Sequence, residues 1–121
     1  MNKKYEELTE LVIEWAKERN IFAKSSPISQ IGKTQEELDE TLVALKRLNV
    51  AENHPSFEFV DEEEEQHLAL FETKDGIGDM LVTIIILAEM VGFDTVECLE
   101  AAYNEIKNRK GKMVNGFFVK E

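Results

Sequence analysis

The sequence predicts an all-α protein with a four-helix-bundle-like core of antiparallel helices. Apolar residues recur at intervals of three and four along most of the chain, which is the period of a helix that buries one face. The segments between these stretches are short, as in helical bundles. With 121 residues, 43% of them hydrophobic, the chain has the size and composition of one domain spanning residues 1–121.

The first two helices are predicted from their apolar stripes and their start signals. Helix one is expected from Tyr5 to Arg19, and its stripe consists of Tyr5, Leu8, Leu11, Val12 and Trp15. Helix two begins at Ser26-Pro27, because serine is a favourable N-cap and proline is tolerated at the first helical position. It is expected to continue to about Asn49 and to bury Ile31, Leu38, Leu42 and Leu45.

The second half of the chain predicts a loop, two further helices and a turn. The loop is expected between Val50 and Phe59, and helix three from Glu62 to Val91 with a stop at Gly92. Helix four is expected from the N-cap residue Asp94 to Gly111. The tail, residues 113–121, contains an Asn-Gly turn and either forms a short hairpin or packs against the helices.

One stretch of helix three, Met80 to Ala88, is apolar on nearly every side. A helix of this kind needs neighbours all round, because a surface helix of a monomer would expose an apolar stripe to water. Either it is the central helix of the bundle, or another subunit completes one of its faces. We therefore expect the bundle to be completed by oligomerisation.

The negative net charge restricts the kinds of molecule that the protein is expected to bind. The chain carries 25 acidic and 14 basic residues and a formal charge of −11, which repels nucleic acids and other polyanions. Divalent cations held by the same carboxylates would instead create a site for a phosphorylated small molecule. The single cysteine, Cys98, and the lack of a signal-peptide h-region or a bilayer-length apolar run predict a cytoplasmic protein without a membrane partner.

Carboxylates recur at helical spacing on helices two and three. Glu37 and Glu40 lie three residues apart, and Glu72, Asp75 and Asp79 follow at i, i+3 and i+7, so each set shares one face of its helix. Magnesium prefers hard oxygen ligands and combines carboxylates with waters and substrate phosphates. Such stripes also occur on solvated helix faces, but carboxylates that lead into an apolar run favour a metal site.

Two motifs support a family resemblance. Lys33-Thr34-Gln35-Glu36-Glu37-Leu38-Asp39-Glu40 and Glu72-Thr73-Lys74-Asp75-Gly76-Ile77-Gly78-Asp79-Met80-Leu81 together resemble the EExxE and ExxD signature of MazG-type nucleotide pyrophosphohydrolases. The similarity extends to helix one with Trp15 and to residues 102–112. It implies that Glu37, Glu40 and Asp79 bind Mg²⁺, with Glu36 in the same acidic box. The ExxD pattern has glutamate where this chain has Gly76, and we expect Asp75, together with Glu72, to supply the missing carboxylate.

The resemblance implies Mg²⁺-dependent hydrolysis of a nucleoside triphosphate to a monophosphate and pyrophosphate, with Mn²⁺ as a substitute metal. Glu36 or Glu40 is expected to orient the attacking water or to take its proton. The phosphates are expected to contact Lys33, Asn104, Lys107 and Arg109, although cations near the end of a helix also suit its dipole. The resemblance also implies assembly as a homodimer or homotetramer. The expected compartment is the cytoplasm, which is the host cytoplasm if a phage encodes the protein.

Two other functions fit the sequence. One is hydrolysis of a phosphoribosyl nucleotide or a modified nucleotide by an enzyme of the same superfamily. The other is a non-catalytic helical oligomerisation or regulatory module, in which the carboxylates only solvate the bundle surface.

Overall fold

A computed structural model describes residues 3–53 and 62–121, and most of these residues are helical. The elements are α1 (Tyr5–Glu18), α2 (Ile21–Lys24), α3 (Pro27–Asn53), α4 (Glu62–Met90), α5 (Thr95–Ile106), β1 (Gly111–Val114) and β2 (Phe117–Lys120). The prediction of a mainly helical chain is confirmed, and the structure adds a two-stranded antiparallel sheet at the end of the described residues.

The bounds of the helices differ from the predicted ones in three places. The short helix α2 was not predicted, and α3 continues into the expected loop as far as Asn53. Residues 54–59 of that loop lie outside the described residues. The helix α5 ends at Ile106 rather than near Gly111, because the chain turns there and enters β1.

Local signals in the sequence fix the ends of several elements. Ser26 accepts a hydrogen bond from the backbone N–H of Ser29 at 3.2 Å at the start of α3. Gly92 has a φ of 86°, the left-handed conformation that ends α4 after Met90. The hairpin turn at Asn115 and Gly116 has φ values of 51° and 85°, as a two-residue turn with two positive φ angles requires.

Asp94 caps α5, and this cap gives a stability prediction. Its Oδ1 atom accepts a hydrogen bond from the backbone N–H of Glu97 at 2.9 Å. We expect Asp94→Ala to lower the free energy of unfolding by about 1 kcal/mol, measured by urea denaturation, because that N–H loses its partner. Glu100→Ala, an exposed change on the same helix, is the control and should change the free energy by less than about 0.5 kcal/mol. Equal losses in the two variants would contradict the role of the cap.

The two long helices, α3 and α4, form the antiparallel pair at the centre of the fold. Near one end the Gln30 side chain donates a hydrogen bond to the backbone oxygen of Thr83 at 3.0 Å. Near the other end Arg47 pairs with Glu72. The paired residues run in opposite directions along the two helices, so the carboxylate stripes of α3 and α4 come to lie on adjacent helices.

Small residues form the contact between α3 and α4. Thr41, Ala44, Ala69 and Gly76 are all buried there. A Cβ atom at Gly76 would lie 3.1 Å from the Cβ of Thr41 and closer still to its hydroxyl oxygen, so the Thr41 side chain packs directly against the backbone of Gly76.

The large apolar side chains of α3 do not lie in this contact. Ile31, Leu38, Leu42 and Leu45 were predicted to be buried, but 45–52% of the surface of each is exposed. The prediction is wrong for the single chain, because the small residues occupy the helix contact and turn the larger ones away from it. On α4, Ile85, Ile86 and Ala88 are buried, whereas Leu81 and Ile84 are partly exposed.

The single chain has a large accessible surface. Its area is 9755 Å², whereas a folded monomer of this mass is expected to expose about 6,700 Å². None of the large side chains in the described residues is fully buried. The chain therefore leaves an unusual amount of apolar surface in contact with water.

No single helix within the described ranges is both long enough and apolar enough to cross a bilayer. Only α4 and α5 taken together reach the required length and composition, and these two helices meet at an angle of 97°.

Candidate functional site

Four of the five predicted metal ligands line one hollow between α3 and α4. Its volume is about 200 Å³, and its polar lining consists of Glu40 from α3 and Glu72, Asp75 and Asp79 from α4. We call it the carboxylate hollow. The rest of its lining consists of Val43, Ala44 and Gly76. The close helix contact that buries Gly76 therefore brings Glu40 of α3 near the carboxylates of α4.

The fifth predicted ligand, Glu37, lies in a second hollow that adjoins the first. This hollow has a volume of about 250 Å³ and is lined by Trp15, Gln30, Lys33, Glu37, Asp79 and Thr83, with Ile21, Val82 and Ile86. We call it the Trp15 hollow. Asp79 lines both hollows, so the two adjoin at this aspartate.

Two carboxyl groups of this region, those of Glu37 and Asp79, have raised pKa values. Burial raises the pKa of Glu37, and the negative charges of Glu40 and Asp79 raise it further. Burial also raises the pKa of Asp79, with added repulsion from Asp75 and Glu40. Keeping these groups ionised in the folded chain is unfavourable, and a bound cation would offset that cost.

One predicted ligand, Glu72, already has a cationic partner. Its carboxylate pairs with the guanidinium of Arg47, which also lies 3.8 Å from Glu65. Within the described ranges, Glu40, Asp75 and Asp79 form no ion pair. These three are therefore more readily available to a metal ion than Glu72.

Lys33 lies against the acidic box of its own helix. Its Nζ atom is 3.2 Å from Glu36 and 3.7 Å from Glu37. The hydrogen bond to Glu36 and the negative charge of Glu36 raise the pKa of Lys33, so this residue stays cationic at neutral pH. Only 12% of the Glu37 side chain is exposed, whereas Glu36 is exposed and does not line either hollow.

The predicted phosphate ligands on the last helix lie elsewhere. Lys107 is 3.5 Å from Asn104, and Arg109 is 3.9 Å from Glu105, all on the exposed surface at the end of α5. Neither the carboxylate hollow nor the Trp15 hollow includes Asn104, Lys107 or Arg109 in its lining. The angle between α4 and α5 directs the end of α5 away from α4.

Sequence reasoning missed three residues of the Trp15 hollow. Trp15, Gln30 and Thr83 were not predicted as site residues, and 43% of the Trp15 surface is exposed. Gln30 had a detectable signal, because residues 30, 33 and 37 share one face of α3 at i, i+3 and i+7. Trp15 was predicted in the apolar stripe of α1 and was included in the family resemblance, but its position beside Glu37 and Asp79 depends on the contact between α1 and α4.

The donor chemistry of the two hollows fits magnesium, which binds carboxylate oxygens and keeps several waters. Within residues 3–53 and 62–121, no three Asp, Glu, His or Cys side chains are gathered tightly enough to enclose a metal ion. Cation binding therefore requires rotation of the carboxylate side chains around Asp79. Comparisons of the chain with protein-family models, curated proteins and solved structures found no match.

Proposed function

We propose that the protein is a Mg²⁺-dependent nucleoside triphosphate pyrophosphohydrolase similar to the MazG type, acting in the cytoplasm. One observation carries this proposal: carboxylates from two antiparallel helices line a single hollow around Asp79. The raised pKa values of Asp79 and Glu37 support it, because burial and neighbouring carboxylates oppose the ionisation of both side chains in the folded chain.

The roles of the carboxylates follow from their positions. Glu37, Glu40, Asp75 and Asp79 would hold magnesium, or manganese in its place, and Glu72 would contribute only if it left Arg47. A metal ion held there acts as a Lewis acid towards phosphoryl oxygens. Glu40 is better placed than Glu36 to hold a water and accept its proton, because Glu40 lines the carboxylate hollow and Glu36 pairs with Lys33.

We also propose that the bundle is completed by a second copy of the chain. The exposed surface exceeds that of a typical monomer, and many large apolar side chains of the described residues contribute to it. An apolar groove of about 460 Å³ between α4 and α5, lined by Leu81, Ile84, Val91 and Leu99, belongs to this surface. Association would also permit a partner copy to supply Asn104, Lys107 and Arg109 to the site.

Pyrophosphate release tests the proposed reaction directly. The purified chain is incubated with each common ribo- and deoxyribonucleoside triphosphate, with and without magnesium, and pyrophosphate and monophosphate are measured. Equal amounts of both products, formed only with magnesium, are expected. Turnover of a phosphoribosyl nucleotide or a modified nucleotide in the same assay, without turnover of the common triphosphates, would identify the related hydrolase instead.

A helical oligomerisation module is the second candidate, favoured by the large exposed apolar surface. Magnesium separates the two functions, because a ligand that binds only the folded state must stabilise it. We expect millimolar magnesium to raise the melting temperature of the wild-type chain. Calcium chloride and potassium chloride of equal ionic strength are the control salts. An oligomer in light scattering with no effect of magnesium on melting would favour the module.

A further inference from the structure

A third hollow, of about 430 Å³, lies beside the Trp15 hollow, between the end of α1, the short helix α2 and the first turns of α3. Its polar lining includes three cations and two hydroxyl groups: Arg19, Lys24 and Lys33, with Ser25 and Ser29. No carboxylate contributes to the lining. We call it the basic hollow.

This composition is unusual for the chain. Acidic residues outnumber basic ones by 25 to 14, yet three basic side chains meet here without an acidic one. A hollow lined by basic side chains and by no carboxylate favours the binding of an anion. The N-terminal end of α3, a helix of 27 residues, adds its partial positive charge at the same place.

The three basic side chains differ in their acidic neighbours. Lys24 forms no ion pair with any residue of the described ranges. Arg19 pairs with its exposed neighbour Glu18 at 3.7 Å. Lys33 pairs with Glu36 and Glu37, which lie outside the lining of the basic hollow.

The backbone holds these cations in place. Asn20 adopts a left-handed conformation with a φ of 60°, which turns the chain between α1 and α2. Arg19 stacks over the ring of Trp15 at 4.5 Å and donates a hydrogen bond to the Trp15 backbone oxygen at 3.3 Å. Its planar guanidinium is therefore oriented before a ligand arrives, which favours binding of phosphate oxygens.

The basic hollow is continuous with the candidate reaction site. Ile21, Gln30 and Lys33 line both the basic hollow and the Trp15 hollow, and the Trp15 hollow contains Glu37 and Asp79. A polyphosphate with one end among the cations would thus extend towards the carboxylates around Asp79.

We infer that the basic hollow binds the two terminal phosphates of the substrate, the part that leaves as pyrophosphate. Its chemical role rests on the proposed function, whereas its affinity for a phosphate anion does not. In the reaction, the water oxygen bonds to the α-phosphorus as the bond to the α,β-bridging oxygen breaks. The bridging oxygen keeps the electron pair and leaves with pyrophosphate, and Glu40 takes the proton of the water. Arg19, Lys24 and Lys33 stabilise the negative charge of the leaving group.

Calorimetric titration with inorganic pyrophosphate, in chelator and without magnesium, tests the anion site. We expect the wild-type chain to bind pyrophosphate and Lys24→Ala to bind it at least about tenfold more weakly, since a charge-assisted contact is lost. Lys17→Ala is the matched control, because Lys17 is an exposed lysine of α1 outside the lining, and the change in net charge is the same. Circular dichroism establishes that both variants are folded.

Absence of pyrophosphate binding by the wild-type chain, or equal affinity of Lys24→Ala and Lys17→Ala, would overturn the inference. The test of pyrophosphate binding can fail or succeed independently of the test of triphosphate hydrolysis. Metal-free pyrophosphate binding by Asp79→Asn, with its hydrolysis lost, would support both proposals. Wild-type binding without hydrolysis of any triphosphate would refute only the enzyme and support the anion site.

Discussion

Asp79→Asn is expected to reduce magnesium-dependent pyrophosphate release by at least about a hundredfold in kcat/KM, since even residues that only support a metal ligand contribute up to that factor. Asp79 is the residue that lines both the carboxylate hollow and the Trp15 hollow. The asparagine side chain has nearly the shape of aspartate, but it provides neither the negative charge nor the second anionic oxygen that magnesium favours.

The same variant is expected to be more stable than the wild-type chain when metal is removed with a chelator. Burial, Asp75 and Glu40 raise the pKa of Asp79, so the folded state binds a proton more tightly here than the unfolded state does. The ionised aspartate therefore destabilises the folded chain at neutral pH, and the neutral amide removes this effect. The melting temperature should rise at pH 7, and the difference should shrink as the pH falls towards 3.8, the ordinary value for aspartate.

Glu89→Gln is the matched control for Asp79→Asn. Glu89 is an exposed residue of the same helix, outside both hollows, and its replacement also removes one negative charge. Its hydrolysis rate and melting temperature should stay close to those of the wild-type chain. If Asp79→Asn retained full activity, or if both variants lost it equally, Asp79 would not be a metal ligand.

Two glycines of α4 are expected to respond oppositely to the same substitution. Gly78→Ala should raise the free energy of unfolding by up to about 1 kcal/mol, because no atom lies within 4 Å of the added methyl group and alanine favours the helix. Gly76→Ala should lower it by about 1–3 kcal/mol, since the methyl group overlaps the Thr41 side chain and forces α3 and α4 apart. Chemical denaturation of both variants measures the difference.

A second substitution tests the cause of the loss at Gly76. Thr41→Ala removes the hydroxyl and methyl groups that the new Cβ atom would meet, so Gly76→Ala should cost less stability in that background. An additive double variant would show that the overlap with Thr41 is not responsible. A glutamate at position 76 would meet the same Thr41 side chain.

The candidate site was only partly predictable from the residues. The spacing of Glu37 and Glu40 and of Glu72, Asp75 and Asp79 predicted that each set shares one helix face. That Glu40 meets the carboxylates of α4 in one hollow, while Glu37 lies in the Trp15 hollow, depends on how α3 packs on α4 at Thr41 and Gly76. The ion pair between Arg47 and Glu72 links residues on different helices, so no spacing rule could indicate it.

Sequence periodicity alone determined the positions of the long helices. Local signals determined the caps at Ser26 and Asp94 and the turn at Asn115-Gly116, because hydrogen bonds between residues close in the chain decide these features. The tertiary structure alone decided which side chains meet. It turned the leucines of α3 outwards and joined Arg19, Lys24 and Lys33 in the basic hollow. These outcomes depend on the fit between surfaces distant in sequence, which the period of a single helix does not encode.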